Sequence, residues 1–216
     1  MNSISLVCTV HEEMGLANSS ELLAILERIQ PEVIFLEVPP AAFDDYYGNC
    51  SRRNLESLAV RQYREGRQVE LVPVDLPTPP AEFFSNLEEL RRRIGKISPE
   101  YRRLMKLDDA SIREHGFGYL NSEDCGELWV RVYEDIVSSI KWMNNDSRLL
   151  ELYESWRESD DLREKEMIEN IYKYCRENTF DKGVFLVGAA HRRPIIHIAR
   201  EQTRVDPTRI QWDFDD

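Results

Sequence analysis

Four short apolar runs, each leading into an ionisable side chain, constrain this chain more than any other feature. They are Ile4–Val10, followed by His11; Val33–Leu36, ended by Glu37; Val69–Val74, followed by Asp75; and Val184–Val187, which leads to His191. All are rich in β-branched residues and bounded by turns or helices, so they predict strands. The second and fourth are continuously apolar, as in parallel strands buried on both faces. Helical patterns lie between the first three. Asn18 is placed to cap a helix with Glu21 three residues on, and Leu22, Leu23, Leu26 and Ile29 form its apolar stripe. Leu55, Leu58, Ala59 and Tyr63 form a second stripe, with Gly66 as its C-cap. Strand, helix, strand, helix, strand predicts right-handed βαβ units and an α/β fold with a mostly parallel sheet.

After His191, Ile195, Ile196, Ile198 and Ala199 continue a helix with Pro194 in its first turn, and Ile210, Trp212 and Phe214 alternate as a closing strand. The stretch of about 81–178 offers no strand. It is expected to be an all-helical insertion before the last core strand, with Leu128, Val132, Ile136 and Ile140 as one stripe and Trp129 and Tyr133 beside it. Helices inserted beyond the C-terminal end of a strand are expected to wall or cover that end. A single domain over 1–216 is expected, with its core in about 1–80 and 179–216.

Charge and composition exclude several classes. Forty acidic residues against 28 Lys and Arg give a formal net charge of −12, a field that repels nucleic acid and anionic lipid. No run approaches the ~20 apolar residues of a membrane span. The opening segment lacks a basic leader, and its apolar stretch stops at His11-Glu12-Glu13, so no signal peptide is expected. Cys8, Cys50, Cys125 and Cys175 are scattered without a CxxC pair, which predicts reduced thiols in a soluble, cytoplasmic protein. The partner expected is a small molecule or a peptide.

In open parallel sheets, ligands bind beyond the carboxyl ends of the strands. His11, Glu37, Asp75 and His191 all fall there. Each has a plainer explanation: Asp75 could cap a turn, His191 a helix, and His11 could be solvated. Glu37, between Leu36 and Val38, is expected to be enclosed and therefore partnered. Two imidazoles and a carboxylate form a ligand set for zinc, manganese, iron or cobalt, with His11, Glu37 and His191 as the ligands. The same set without metal suits acid–base chemistry, a carboxylate fixing a histidine tautomer while the histidine moves protons. His115, beside Gly116 and Gly118, reads as a surface loop residue; His197 does not share the helix face of His191. The pair Arg192-Arg193 reads as two exposed charges.

These residues resemble a known superfamily, the TraB/PrgY, GumN, ChaN-like and Tiki group, with its EreA/ChaN-like fold. Its second Gly-x-x-His motif is matched by Gly188-Ala189-Ala190-His191, and its strand-ending glutamate by Phe35-Leu36-Glu37-Val38. Its Arg-Asp-x-x-Met segment looks like Arg163-Glu164-Lys165-Glu166-Met167, and Asp75 matches an acid that often ends the third strand. The first motif reads Cys8-Thr9-Val10-His11, with Cys where the family has Gly. The resemblance implies a metal-dependent hydrolase of the peptidase or esterase kind, or else a haem- or iron-binding or regulatory protein. It gives His11, Glu37 and His191 to a divalent metal or the nucleophilic water. Asp75 or Glu164 would orient a histidine or take a proton, and Arg163 would hold a substrate carboxylate or an oxyanion.

Overall fold

The computed structural model describes residues 2–49, 51–143, 146–206 and 210–214; Cys50 lies outside them. Five strands form one sheet: β1 (Asn2–Thr9), β2 (Val33–Leu36), β3 (Glu70–Pro73), β4 (Lys182–Gly188) and β5 (Ile210–Asp213). Every pairing is parallel, in the order β3-β2-β4-β1-β5. The late strand β4 thus separates β1 from β2. Register aligns Thr9 with Gly188 and Leu36 with Leu186, so β1, β4 and β2 all run out at the same edge. Strand β3 is the half-exposed outer strand, shorter than its apolar run suggests because Val69 and Val74 fall outside the ladder.

Helices α1 (Ser19–Ile29) and α2 (Leu55–Arg64) make the first two crossovers. Asn18 caps α1 by accepting from the Glu21 N–H, as its sequence position predicts. Asn54 and Ser57 close a capping box on α2, and Gly66, at φ 75°, turns the chain just past its C-cap. Direction across the sheet reverses after β3. Right-handed crossovers therefore put α1 and α2, which pack together, on one face, and α7 (Arg192–Val205) on the other, against the long helix α6 (Ser147–Glu177).

The insertion comprises α3 (Ala81–Ile97), α4 (Pro99–Leu120), α5 (Glu123–Trp142) and α6. Leu128, Val132, Ile136 and Ile140 are all buried, in a second apolar core with Leu90, Ile94 and Leu104. The far parts of α4 and α6 join the sheet's own core through Ile112, Leu120, Met167 and Ile171. The insertion is therefore a packed layer rooted in the sheet. None of the described helices is long and apolar enough to cross a membrane.

His115 corrects its loop assignment, because it lies within α4. That helix is interrupted at Gly116, with φ 54° and ψ −133°. A Cβ there would stand 2.7 Å from the Leu16 carbonyl oxygen, so the break lets the Met14–Ala17 turn dock on α4, where the Leu16 N–H donates to Arg113. Gly116→Ala combines a disfavoured φ with that collision and is expected to destabilise the fold by about 1–3 kcal/mol in urea denaturation. Unchanged stability would show that the turn does not depend on this close approach.

Candidate active site

Glu37 leaves β2 with its side chain 9% exposed, and a carboxylate so enclosed requires a partner. Arg163, on α6, supplies it through Nη2 at 2.5 Å. The same guanidinium grips Asp75 beyond β3, donating from Nη2 at 2.8 Å and from Nε at 3.1 Å. Asn170, two turns further along α6, donates to the Val74 carbonyl and fixes the helix over the same strand end. Arg163 Nη1 makes no hydrogen bond with the described residues and lies 3.8 Å from Asp160 Oδ1.

The other oxygen of Glu37 accepts from the Gly188 N–H at 2.6 Å. This contact explains the glycine. Its φ of −57° suits any residue, but an added Cβ would lie 3.3 Å from Glu37 Oε2 and 3.7 Å from His191. The requirement is space beside the carboxylate. Burial alone would raise the Glu37 proton affinity; His191, Arg163, His11 and the Gly188 N–H together carry it below the ordinary carboxylate value.

His191 ends a short turn (Ala189–His191) after β4. Its Nδ1 stands 2.7 Å from Glu164 Oε1, and its Nε2 stands 3.5 Å from Glu37 Oε1. Glu164 is buried, held within the core face of α6. Trp156, Asp160, Glu164, Met167 and Ile171 recur at helical spacing, so this stripe carries two acids among apolar residues. Desolvation opposes an imidazolium at His191, but Glu37, Glu164 and Asp160 outweigh it and raise the pKa.

A second histidine–glutamate pair faces it. His11 Nδ1 lies 3.2 Å from Glu56 Oε1, an oxygen that also accepts from the Thr9 hydroxyl at 2.7 Å. Glu56 comes from the first turn of α2 and is 6% exposed. The Glu56 hydrogen bond lifts the His11 pKa from its ordinary 6.5 to about 9. Both strand-end histidines thus have Nδ1 tied to an enclosed carboxylate, leaving Nε2 as the remaining nitrogen.

A cavity of about 400 Å³ lies at these strand ends. His11, Glu37, Asp75, Arg163 and His191 lie along it; Phe83, Leu87, Ile112, Trp129 and Trp156 come from the insertion, which forms its far wall. Glu164 is not among the lining residues and stands behind His191. Asp75 also accepts from its neighbouring Leu76 N–H, so its turn-capping role coexists with the Arg163 pair. His197 is exposed, paired with Glu201. Arg192 corrects its exposed assignment: it is 6% exposed, donating from Nε to the Asn121 carbonyl and from Nη2 to that of Phe214. Cys8 is accommodated by ordinary extended backbone, bracketed by Asn121, and burial pushes its thiol far up, so it is no nucleophile.

As a metal set, His11, Glu37 and His191 fit poorly. The obstacle is Glu37, which spends its oxygens on a guanidinium and a backbone N–H; the histidines, each held at Nδ1 by a glutamate, keep Nε2 as a ligand atom. Among the described residues, no three or more His, Cys, Asp or Glu side chains are arranged to hold a metal ion. Sequence reasoning missed Glu56, whose first-turn position looks like any helix-start acid, and Asp160 and Asp108, which also line the cavity. Asp160 was legible in principle, as an acid on an apolar stripe.

The fold and site define an α/β protein with a cavity at the C-terminal edge of a five-stranded parallel sheet. No protein-family model matches the chain, and no curated protein does. It is similar to a solved mutant of erythromycin esterase EreC in its open conformation, at 15% identity and a TM-score of 0.43, covering 97% of this chain and 68% of that one. It is also similar to a solved Bacillus cereus protein, at 14% identity and a TM-score of 0.35, covering 97% of this chain and 64% of that one.

Two outcomes follow from the geometry. In Glu56→Gln, the His11 imidazole should titrate well below about 9, toward 6.5, in NMR spectra of the ring protons; an unmoved midpoint would remove Glu56 as the cause. In Gly188→Ala, the crowded Glu37 carboxylate must shift. Ligand binding or turnover should fall while the thermal midpoint changes little, and a variant with unaltered function would refute the steric role.

Proposed function

We propose that this chain is a hydrolase of the esterase or peptidase kind, working by acid–base chemistry at His191. One observation carries the proposal: His191 has Nδ1 held by a buried glutamate while its Nε2 stands beside Glu37 on the wall of one cavity. A carboxylate on Nδ1 fixes the tautomer and supports the imidazolium, the division of labour of a catalytic triad. At 3.5 Å the contact with Glu37 is too long for a good hydrogen bond, so Nε2 keeps its lone pair for a water bound from the cavity side.

In the proposed reaction, neutral His191 takes a proton from that water as the oxygen attacks the substrate carbonyl. The oxyanion forms toward Arg163 Nη1, whose other donors are committed to Glu37 and Asp75. The carbon–oxygen or carbon–nitrogen bond then breaks, and the leaving atom takes the proton back from Nε2. Arg163 fills the electrophilic role that the sequence suggested for zinc, manganese, iron or cobalt. His11, kept cationic by Glu56 at neutral pH, adds positive charge at the cavity.

Turnover needs neutral His191 and charged His11. The rate should therefore rise through a midpoint above 6.5 and fall through one near about 9. His191→Ala would strand the buried Glu164, so His191→Gln, which retains an amide donor, is the cleaner variant. It should lose at least about a hundredfold in kcat, with His197→Ala near wild type, in assays of nitrophenyl esters and peptides with and without chelator. Equal activity in wild type and His191→Gln would sink the assignment; loss of all activity on chelation would return the metal.

A further inference from the structure

Four carboxylates line the cavity, and three of them stand beside an arginine. Glu37 and Asp75 lie 2.5 and 2.8 Å from Arg163, and Asp160 lies within 3.8 Å of Arg163 and 3.7 Å of Arg157. Asp108, on α4, is the exception. It is 4% exposed and forms no ion pair among the described residues. Its one hydrogen bond there comes from the buried Tyr119 hydroxyl, 2.8 Å from Oδ1, and Oδ2 receives none. An enclosed carboxylate without a cation is costly, and burial duly raises the proton affinity of Asp108.

The surroundings of Asp108 suit a particular kind of cation. Ile112 is one helical turn away on the same face, and Leu120, Trp129 and Trp156 line the same cavity. Indole faces attract cations, and the Arg91 guanidinium already lies 5.3 Å over the Trp156 ring. The arginine charge nearer the sheet is committed to Glu37 and Asp75, so it leaves Asp108 uncompensated.

We infer that the cavity takes a ligand with an apolar or aromatic body and a protonated amine, the amine pairing with Asp108. This rests on the cavity being the substrate site of the proposed hydrolase. The substrate class becomes an amine-bearing ester or amide, its body against the tryptophans and its carbonyl toward His191 and Arg163.

Calorimetric titration with phenethylamine, phenethyl alcohol and phenylacetate tests this without any turnover. The amine should bind the wild type at least about tenfold more tightly than the alcohol, the value of one hydrogen bond to a charged group. Phenylacetate should bind least. Asp108→Asn, which can still accept from Tyr119, should abolish the preference. Equal or undetectable binding of amine and alcohol to the wild type overturns the inference, and so does a preference that survives in folded Asp108→Asn. Ester turnover with no amine preference overturns it while leaving the hydrolase intact. Amine binding with no ester turned over does the reverse.

Discussion

One guanidinium joins the two halves of this molecule. Arg163 reaches from the insertion's long helix to the carboxylates that end β2 and follow β3, across sequence separations of 126 and 88 residues. Each of these charges would be costly in its enclosure if alone; together they satisfy one another with four hydrogen bonds. Removing either side would leave a buried charge, typically about 3–5 kcal/mol unfavourable. The position of α6 over the strand ends therefore depends on this cluster, as does everything α6 brings with it: Glu164 behind His191, Asp160 and Trp156 on the cavity wall.

The site is built by restraint. Both imidazoles are fixed at Nδ1 by glutamates contributed from helices on different parts of the fold, Glu56 from α2 and Glu164 from α6. Gly188 gives Glu37 the room to accept a backbone N–H. Fixing tautomer and carboxylate in advance removes reorganisation from any later proton transfer. The net charge of −12 is no guide to this local balance, where arginine and imidazole stand beside Glu37, Asp75 and Glu164.

Much of the fold was legible because it rests on short-range rules. The Asn18 cap, the apolar stripes of α1, α2 and α5, and the continuous Val33–Leu36 and Val184–Val187 runs reflect periodicity and local hydrogen bonding. The strand-end residues His11, Glu37, Asp75 and His191 followed from one general rule about parallel sheets. Glu56 and Asp108 were not legible, since nothing local separates a helix acid that pairs with a distant histidine or lines a cavity from one that faces water. Arg192 misled for the same reason: its neighbours resemble those of a surface arginine, while its partners lie at Asn121 and Phe214.

The sequence by itself determined which segments become parallel strands, and that each hands the chain to an ionisable residue at one edge. Tertiary structure decided the order β3-β2-β4-β1-β5, which sets β4 between β1 and β2 and so brings His191 beside Glu37. It also decided that the residues ending the strands pair chiefly with helices, Glu37 with Arg163 and His11 with Glu56. The physical reason is range. Strand and helix formation is fixed by neighbours a few residues apart, whereas charge pairing is settled by whichever partner the packed core holds within about 3 Å.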